Sequence, residues 1–193
     1  MNNGIELNLY NIWLPFVIGY SAIWISMVYA NRKRGKPIED PEIYKLHNPK
    51  KMAAAGLIPT AAIFICSIFI PIQPGNLLWI GILIFTIGII MSMAASFSFT
   101  GFTEGVNISG VYRFSRNPMY MGGFLFFLGL NLMGWTYSLI NVIFVFLFVV
   151  WMGVTHWCVL KEESFLEYKY GDTYREYQGR VPRYAGLMKK KDN

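Results

Sequence analysis

The chain has 193 residues, enough for one domain, but its composition is unusual for a soluble one. It is 54% hydrophobic and only 15% charged, which is too apolar and too poor in charge for a typical water-soluble domain. The composition therefore indicates that the lipid bilayer is the solvent. The formal net charge of +6 is interpreted first as a membrane-topology signal and secondly as an attraction to anionic lipid head groups. It gives little reason to expect a nucleic-acid partner.

Long uncharged runs predict the helices in chain order. Residues 11–30 contain no charged side chain, and a helix of that length crosses a hydrocarbon core of about 30 Å. A later uncharged stretch, 117–160, is too long for one crossing, and the turn formers at 134–138 split it into two helices. The five predicted spans cover residues 11–30, 52–70, 77–99, 118–134 and 138–160.

The predicted fold is therefore an all-α integral membrane protein with a single membrane domain over residues 1–193. The loops at 31–51 and 100–118 and the tail from residue 161 hold all 17 Lys and Arg residues. By the positive-inside rule these three segments are expected in the cytoplasm. Because basic residues follow the first span and none precedes it, we expect a retained anchor with its N-terminus outside, not a cleaved signal peptide.

The glycines and cysteines within the predicted spans are interpreted as structural residues and not as parts of a binding site. Gly81 and Gly88 indicate close contact between helices. Cys66 and Cys158 lie within or at the end of predicted spans, at different depths, which predicts neither a disulfide nor a metal site.

The tail after the last span mixes acids, bases and tyrosines at helical spacing. The helix is expected to continue to Tyr170 and to break at Gly171. A short second helix is predicted from Asp172, acting as its N-cap, to about Gln178. On spacing alone, this tail is interpreted as an interfacial amphipathic segment whose tyrosines mark the head-group level.

The stretch RFSRNPMYMGG, residues 113–123, places cationic and helix-breaking residues beside an apolar run. Pro118 lacks a backbone N–H and restricts Asn117 to extended conformations, so a helix is predicted to start at Pro118. The free amide groups of this helix start, together with Arg116, suit a carboxylate or a phosphate. Gly122, one turn in, would let a ligand approach the backbone. The alternative is an ordinary helix start with topology-setting arginines and packing glycines.

Two adjacent acids, Glu162 and Glu163, follow the last predicted span. Carboxylates there can bind an ammonium or sulfonium group, and pairing with nearby bases is the alternative. His156 lies on roughly the same helix face as Glu163. It is a candidate proton carrier, but a hydrogen-bonded structural role is favoured, since the other histidine, His47, is in a separate loop. Together these residues predict a pocket for a zwitterionic, amino-acid-like ligand at the cytoplasmic membrane edge.

Two blocks of the sequence resemble a known family of membrane enzymes. The run GVYRFSRNPMYMGG resembles the G-x-Y-x-x-x-R-H-P-x-Y-x-G signature of integral-membrane methyltransferases, which include isoprenylcysteine carboxyl methyltransferase and phospholipid N-methyltransferases. The run KEESFLEYKYGDTYREYQGRVPRY is similar to their second block, an acid pair followed by YG-x-x-Y-x-x-Y. The resemblance covers about residues 104–184, with a hydrophobic hairpin between the blocks.

The resemblance implies S-adenosylmethionine as cofactor, bound by the first block and closed over by a cytoplasmic C-terminal helical segment. The sequence departs from the pattern at one position: Asn117 stands where isoprenylcysteine methyltransferases usually have histidine. Asparagine still forms hydrogen bonds but cannot serve as a titrating base. The cofactor-binding residues implied by the resemblance are Arg116, Asn117, Tyr120, Gly122, Glu162 and Glu163.

Methyl transfer requires the acceptor atom, the methyl carbon and the leaving sulfur to be nearly collinear. Few bases lie near the first block, which favours an acceptor that is already ionised, such as a carboxylate. Arg183 and Arg113 are the candidate catalytic residues that would hold its charge. The expected partners are a lipophilic small molecule or lipid, entering sideways from the bilayer, and the membrane lipids. The acceptor's identity and the oligomeric state stay open.

Two other functions are compatible with the sequence. Membrane sterol reductases share a similar C-terminal pattern of acids, KYG, and VP followed by an arginine, which would imply NADPH; such reductases are larger helix bundles. The second alternative is a non-enzymatic membrane scaffold whose charges only set its orientation.

Overall fold

Helices form the regular structure of this protein. The computed structural model describes residues 9–33, 49–98, 100 and 105–186. Among these residues the only β pairing is an isolated bridge between Asn11 and Pro71, so the predicted all-helical fold is confirmed. The elements are α1 (Trp13–Lys33), α2 (Pro49–Ser67), α3 (Asn76–Phe97), a 3-10 turn (Gly110–Arg113), α4 (Pro118–Met133), α5 (Leu139–Tyr170) and α6 (Asp172–Arg180).

Each of helices α1 to α5 overlaps one of the five predicted spans. The helices are not all of the same length, and this affects which of them can cross a membrane. By length and composition, α1, α3 and α5 qualify as candidate membrane spans. Helices α2 and α4 are apolar but shorter. The 16 residues of α4 rise about 24 Å at 1.5 Å per residue, less than a hydrocarbon core of about 30 Å. The described helices therefore show three candidate spans, and five crossings remain a prediction.

Part of the predicted organisation lies outside the described residues. This is the case for most of the predicted basic loop at 31–51 and for the start of the loop at 100–118. It also applies to Phe99, which ends the third predicted span, and to Glu104, where the resemblance begins.

The ends of the first five helices meet in two groups. At one end, the Ile12 amide donates to the Ile70 carbonyl at 3.0 Å, and the Gln73 amide donates to the Met133 carbonyl at 2.8 Å. These bonds bring together the start of α1, the end of α2 and the end of α4. Near the other end the rings of Tyr29 in α1 and Phe97 in α3 lie 6.1 Å apart. Successive helices therefore alternate in direction.

Helices α3 and α4 are the most closely packed pair, and glycines make this approach possible. A Cβ added at Gly81 would lie 2.8 Å from the Gly129 carbonyl oxygen, and one at Gly88 would lie 2.7 Å from the Gly122 carbonyl oxygen. Such distances are too short for any side chain, so the backbones touch. The prediction that Gly81 and Gly88 are packing positions is confirmed. Phe126, also on α4, extends the contact into the aromatic core.

The C-terminal region corrects two details of the sequence analysis. Helix α5 is continuous from Leu139 to Tyr170 and then stops at Gly171, as predicted. The predicted N-cap was wrong, because Gly171, with φ 51°, caps α6 and Asp172 is its first helical residue. Only glycine adopts this left-handed conformation without steric cost.

The interfacial interpretation of the tail was also wrong for the tyrosines of α6. Tyr174 and Tyr177 are buried, and they pack with Val181. The Tyr177 hydroxyl donates to the Tyr112 carbonyl at 2.8 Å. Helix α6 is therefore docked onto the segment that precedes α4.

Candidate functional site

Helix α4 begins at Pro118 with Asn117 in the N-cap position, as the sequence predicts. Proline suits the first helical position because its missing N–H has no intrahelical partner there in any case. The Asn117 side chain does not cap its own helix. Its amide nitrogen instead donates to Glu163 Oε1 at 3.0 Å, which joins the start of α4 to α5.

Glu163 is the centre of a buried ion-pair cluster. Its side chain is only 5% exposed, and guanidinium groups from two directions reach its carboxylate. Arg116 Nε lies 3.2 Å from Oε1, and Arg183 Nε lies 3.0 Å from Oε2. Together with Asn117, these donors satisfy both carboxylate oxygens. Such hydrogen bonding is what makes a buried charge tolerable.

The C-terminal segment of residues 181–184 is held against the start of α4 by backbone contacts as well. The Arg116 amide donates to the Pro182 carbonyl at 3.0 Å. The Arg183 carbonyl accepts from Ser115 Oγ at 3.1 Å and from Asn117 Nδ2 at 3.3 Å. Arg116 Nη1 also donates to the Gln178 carbonyl at 2.9 Å. The first sequence block and the C-terminal segment thus form one structure around Glu163.

Glu162 has a different environment from its neighbour. It is partly exposed, and its Oε1 accepts a 2.6 Å hydrogen bond from the Tyr120 hydroxyl on α4. No other described residue donates to its carboxylate. Glu163 is therefore saturated by protein donors, whereas Glu162 retains acceptor capacity for a ligand.

Electrostatics favour a charged cluster around Glu163. The hydrogen bond to the Glu163 carboxylate raises the pKa of the Arg183 guanidinium above its ordinary value, so this group stays cationic at physiological pH. Burial raises the pKa of the Tyr174 and Tyr177 hydroxyls, and these tyrosines stay neutral. They form an uncharged wall beside the ion pairs.

A polar pocket of about 310 Å³ lies beside this cluster. Residues 178–183 of α6 and the C-terminal segment form most of its wall, and Arg116 and Gly186 complete it. Three arginines are among its lining residues: Arg116, Arg180 and Arg183. Concave space with several cationic donors suits a small anionic group.

A larger apolar groove of about 680 Å³ lies between α1 and α3. Ile25, Tyr29, Met93 and Phe97 are among its lining residues. It contains none of the residues that the sequence predicted for the site. Its wall is mostly apolar, and none of its lining residues carries a charged side chain.

A second polar contact links the C-terminal segment to α5 on the apolar side of the cluster. His156 Nδ1 and the Tyr184 hydroxyl share a hydrogen bond of 2.6 Å. The Tyr184 ring also contacts Phe124 of α4, with ring centroids 5.4 Å apart. His156 is therefore hydrogen-bonded, as the sequence analysis favoured.

Two of the predicted site residues lie away from the cluster. Arg113 is on the 3-10 turn, with an exposed side chain that has no ion pair among the described residues. Gly122 faces α3, and a Cβ there would collide with Ser92 Oγ. The close contact with α3 explains why residue 122 is glycine. Helix packing was the alternative to the prediction that a ligand approaches the backbone here. The other six predicted residues, Arg116, Asn117, Tyr120, Glu162, Glu163 and Arg183, lie in this contiguous region.

Several partners in the cluster are not predictable from the two sequence blocks alone. Ser115 lies within the first block, but no role is predicted for it, and Gln178 is predicted only as a helix end. Gln178 and Pro182 contribute backbone carbonyls, which side-chain identity does not encode. Tyr184 could have been predicted as part of the cluster from the sequence, because it is an aromatic residue with a polar hydroxyl next to Arg183.

The long apolar helices and the cluster at their charged end define a membrane protein with a polar site at one end of the helix bundle. A sequence profile of the phospholipid methyltransferase family matches residues 72–173, just over half of the chain. The chain belongs to this family of membrane methyltransferases. A comparison with curated proteins found no match, and neither did a comparison with solved structures.

Proposed function

We propose that this protein transfers a methyl group from S-adenosylmethionine to a lipophilic acceptor at the cytoplasmic face of a membrane, in the manner of isoprenylcysteine carboxyl methyltransferases. The observation that carries the proposal is the convergence of both sequence blocks on Glu163. Arg116 and Asn117 come from the first block and Arg183 from the end of the second. Membership of the phospholipid methyltransferase family supports the reaction class.

The residues present carry charges complementary to those of the methyl donor's amino-acid end. Glu162 has carboxylate capacity left after its bond from Tyr120, and this capacity suits the donor's ammonium group. The pocket that Arg180 lines offers a guanidinium group to the donor's carboxylate. When bound, the donor supplies a methyl group on a positively charged sulfur.

In this proposal the chain's own residues position the reactants and exclude water. Glu163 holds Arg116 and Arg183 in place and so closes residues 181–184 over the start of α4. A fixed cluster of this kind lowers the entropy cost of orienting the reactants. The two buried tyrosines of α6 keep water from one side.

The acceptor is proposed to reach the site from the bilayer. The helices beside the cluster are apolar, so the acceptor's hydrocarbon tail can stay in lipid while its polar end meets the cluster. The alternating helix directions and the charge distribution support an N-terminus outside and a C-terminus and site in the cytoplasm. Arg183 remains the candidate to hold an acceptor's negative charge; Arg113, which lies away from the cluster, is a weaker one.

The first test measures ligand binding. S-adenosylhomocysteine should raise the Tm of the purified protein in detergent, because a ligand that binds only the folded state stabilises it. Glu162→Gln should weaken this binding about 10-fold or more, since hydrogen bonds to charged groups contribute about 1.5–3 kcal/mol. Glu167→Gln is the matched control, because Glu167 is an exposed acid on the same helix that pairs with Arg175.

The second test identifies the reaction. The protein is incubated with methyl-labelled S-adenosylmethionine and a lipid extract, and the labelled product is identified by mass spectrometry. Transfer to a lipid-extractable molecule supports the proposal. Stabilisation by NADPH in place of S-adenosylhomocysteine would indicate a reductase, and no stabilisation by either ligand would favour a scaffold.

A further inference from the structure

The apolar groove between α1 and α3 has no role in the proposed methyl transfer, yet it opens at the same end of the bundle as the ion-pair cluster. Its wall includes Tyr29, near the end of α1, and Phe97, the last residue of α3. Asn107 Nδ2 donates to the Ser98 carbonyl at 2.8 Å, which holds the residues before the 3-10 turn against this end of α3. The groove volume of about 680 Å³ lies within the range of about 300–1,000 Å³ that is typical of ligand sites.

The groove faces the surroundings of the bundle and not its core. Ile25 is 66% exposed, Tyr29 is 49% exposed and Phe97 is 45% exposed. Helices α1 and α3 both qualify as candidate membrane spans, so the medium around these side chains is the hydrocarbon of the bilayer. A hydrocarbon chain is therefore the occupant that matches the apolar part of the wall.

One face of α1 changes from apolar to cationic where the helix leaves the groove. Ala22, Ile25 and Tyr29 line the groove, and their spacing of three and four residues places them on one helix face. Arg32 and Lys33, both exposed, lie one turn beyond Tyr29. The Lys33 ammonium is 5.9 Å from the centroid of the Tyr29 ring. The order along this face is thus an apolar wall, a tyrosine hydroxyl and two cations.

This order matches that of a phospholipid, in which a hydrocarbon chain is followed by a polar interfacial region and a phosphate. Tyrosine is enriched at the membrane–water interface, where its ring lies at the head-group level. Basic pockets between membrane helices bind anionic head groups. The sequence continues the positive charge, because Arg34 and Lys36 follow and the predicted loop at 31–51 has seven basic residues and three acidic ones. The charge at the mouth of the groove therefore favours an anionic phospholipid over a zwitterionic one.

We propose that the groove between α1 and α3 binds an anionic phospholipid from the leaflet on the side of the ion-pair cluster, with an acyl chain along Ile25 and Phe97 and the phosphate against Arg32 and Lys33. This site is separate from the methyl-donor site, because no residue of the ion-pair cluster lines the groove. The lipid and S-adenosylhomocysteine can therefore be bound at the same time. The inference goes beyond the proposed function and does not depend on it, since it uses only the groove, its charges and the membrane setting.

The test compares two lipids that have the same acyl chains. The full chain is purified in detergent and titrated with palmitoyl-oleoyl phosphatidylglycerol, which is anionic, or with palmitoyl-oleoyl phosphatidylcholine, which is zwitterionic. Native mass spectrometry measures how much of each lipid is retained. Glycerol phosphate, added as a competitor, distinguishes a lipid site from a site for a free phosphate. A cryo-EM map in nanodiscs that contain phosphatidylglycerol locates the bound lipid.

A pair of double variants tests the cationic mouth. Arg32→Gln combined with Lys33→Gln removes two charges beside the groove. The matched control combines Lys161→Gln with Lys169→Gln, which removes two exposed charges from α5 and leaves the groove intact. General attraction between a basic protein and an anionic lipid would respond equally to both double variants, whereas a site at the groove responds only to the first.

A second pair of variants tests the apolar wall. Ala22→Phe places a ring inside the groove without changing any charge. Ala61→Phe is the matched control, because Ala61 is an exposed alanine on α2 and does not line the groove. The helical circular-dichroism spectrum and the Tm of each variant without added lipid show whether it folds. The charge variants and the map decide the question if Ala22→Phe does not fold.

We expect phosphatidylglycerol to bind at least about 10-fold more tightly than phosphatidylcholine, and the Arg32/Lys33 double variant to lose about 10-fold of that affinity, because each basic side chain near an anionic head group contributes to binding. The control double variant should change the affinity less than about 3-fold, and Ala22→Phe should remove the lipid density from the groove. Glycerol phosphate should not compete.

Equal affinity for the two lipids, equal losses in the two double variants or competition by glycerol phosphate would overturn the inference. A map in which residues 34–48 of the chain or a second copy of it fill the groove would do the same. A protein that binds phosphatidylglycerol in the groove but does not bind S-adenosylhomocysteine would overturn the proposed function and support this inference.

Discussion

Glu162 and Glu163 are neighbours in sequence, but their surroundings give them different tasks. Glu163 is 4% exposed and bound by Arg116, Asn117 and Arg183, so it is a positioning residue that fixes the C-terminal segment. Glu162 is bound only by Tyr120 among the described residues, so it can offer an oxygen to a ligand. The sequence predicted that both acids belong to the site. The sequence alone could not separate their roles, because these depend on partners 20 to 47 positions away along the chain.

Removing the Glu163 charge should destabilise the fold. In Glu163→Gln, Arg116 and Arg183 keep their charges without a counterion, and Arg116 is only 10% exposed. Breaking a buried ion pair at one partner costs about 3–5 kcal/mol. Because Arg183 is 37% exposed and water can solvate it, we expect the lower end, about 3 kcal/mol. The measurement is the free energy of unfolding in mixed micelles.

Glu167→Gln serves as the control for this substitution as well. The Glu167 pair with Arg175 is exposed on both sides, and pairs of that kind contribute about 0–1 kcal/mol. If Glu163→Gln cost no more than Glu167→Gln, the cluster would not hold the C-terminal segment, and the proposed division between the two acids would be lost.

At the scale of elements, the start of α4 depends on its packing against α3. Gly88 and Gly122 face each other with their backbones in contact. This contact fixes where Pro118 and Asn117 lie along the long axis of the helix bundle. Local rules predicted the helix start at Pro118 and the break at Gly171, because proline and glycine restrict or free the backbone at single positions. These local rules could not decide whether Gly122 faces a ligand or a neighbouring helix, because close approach of either one requires a residue without a side chain.

Gly122→Ala should separate α3 from α4 and destabilise the protein by about 1–3 kcal/mol, as overpacked positions do. The control is Gly153→Ala on α5, where a Cβ meets nothing within 4 Å. Alanine is about 1 kcal/mol more favourable than glycine in a helix, so the control should be neutral or slightly stabilising. Equal Tm values for the two variants in detergent would contradict the close packing of α3 and α4.

At the scale of the whole molecule, the alternating helices deliver two distant sequence blocks to one end of the bundle. The positive charge of the loops predicted this grouping without any coordinates, because the rule depends only on where Lys and Arg occur. The docking of α6 was not predictable in the same way. Tyrosines at helical spacing suit both a head-group region and a buried contact, and only the tertiary structure buries Tyr174 and Tyr177.

The most direct test is a cryo-EM map of the full chain in lipid nanodiscs with S-adenosylhomocysteine bound. Our account predicts ligand density that touches the Glu162 carboxylate and the arginines of the 310 Å³ pocket, with Asn117 and Glu163 in contact beneath it. Ligand density in the apolar groove between α1 and α3, or a map in which Asn117 and Glu163 lie apart, would contradict it.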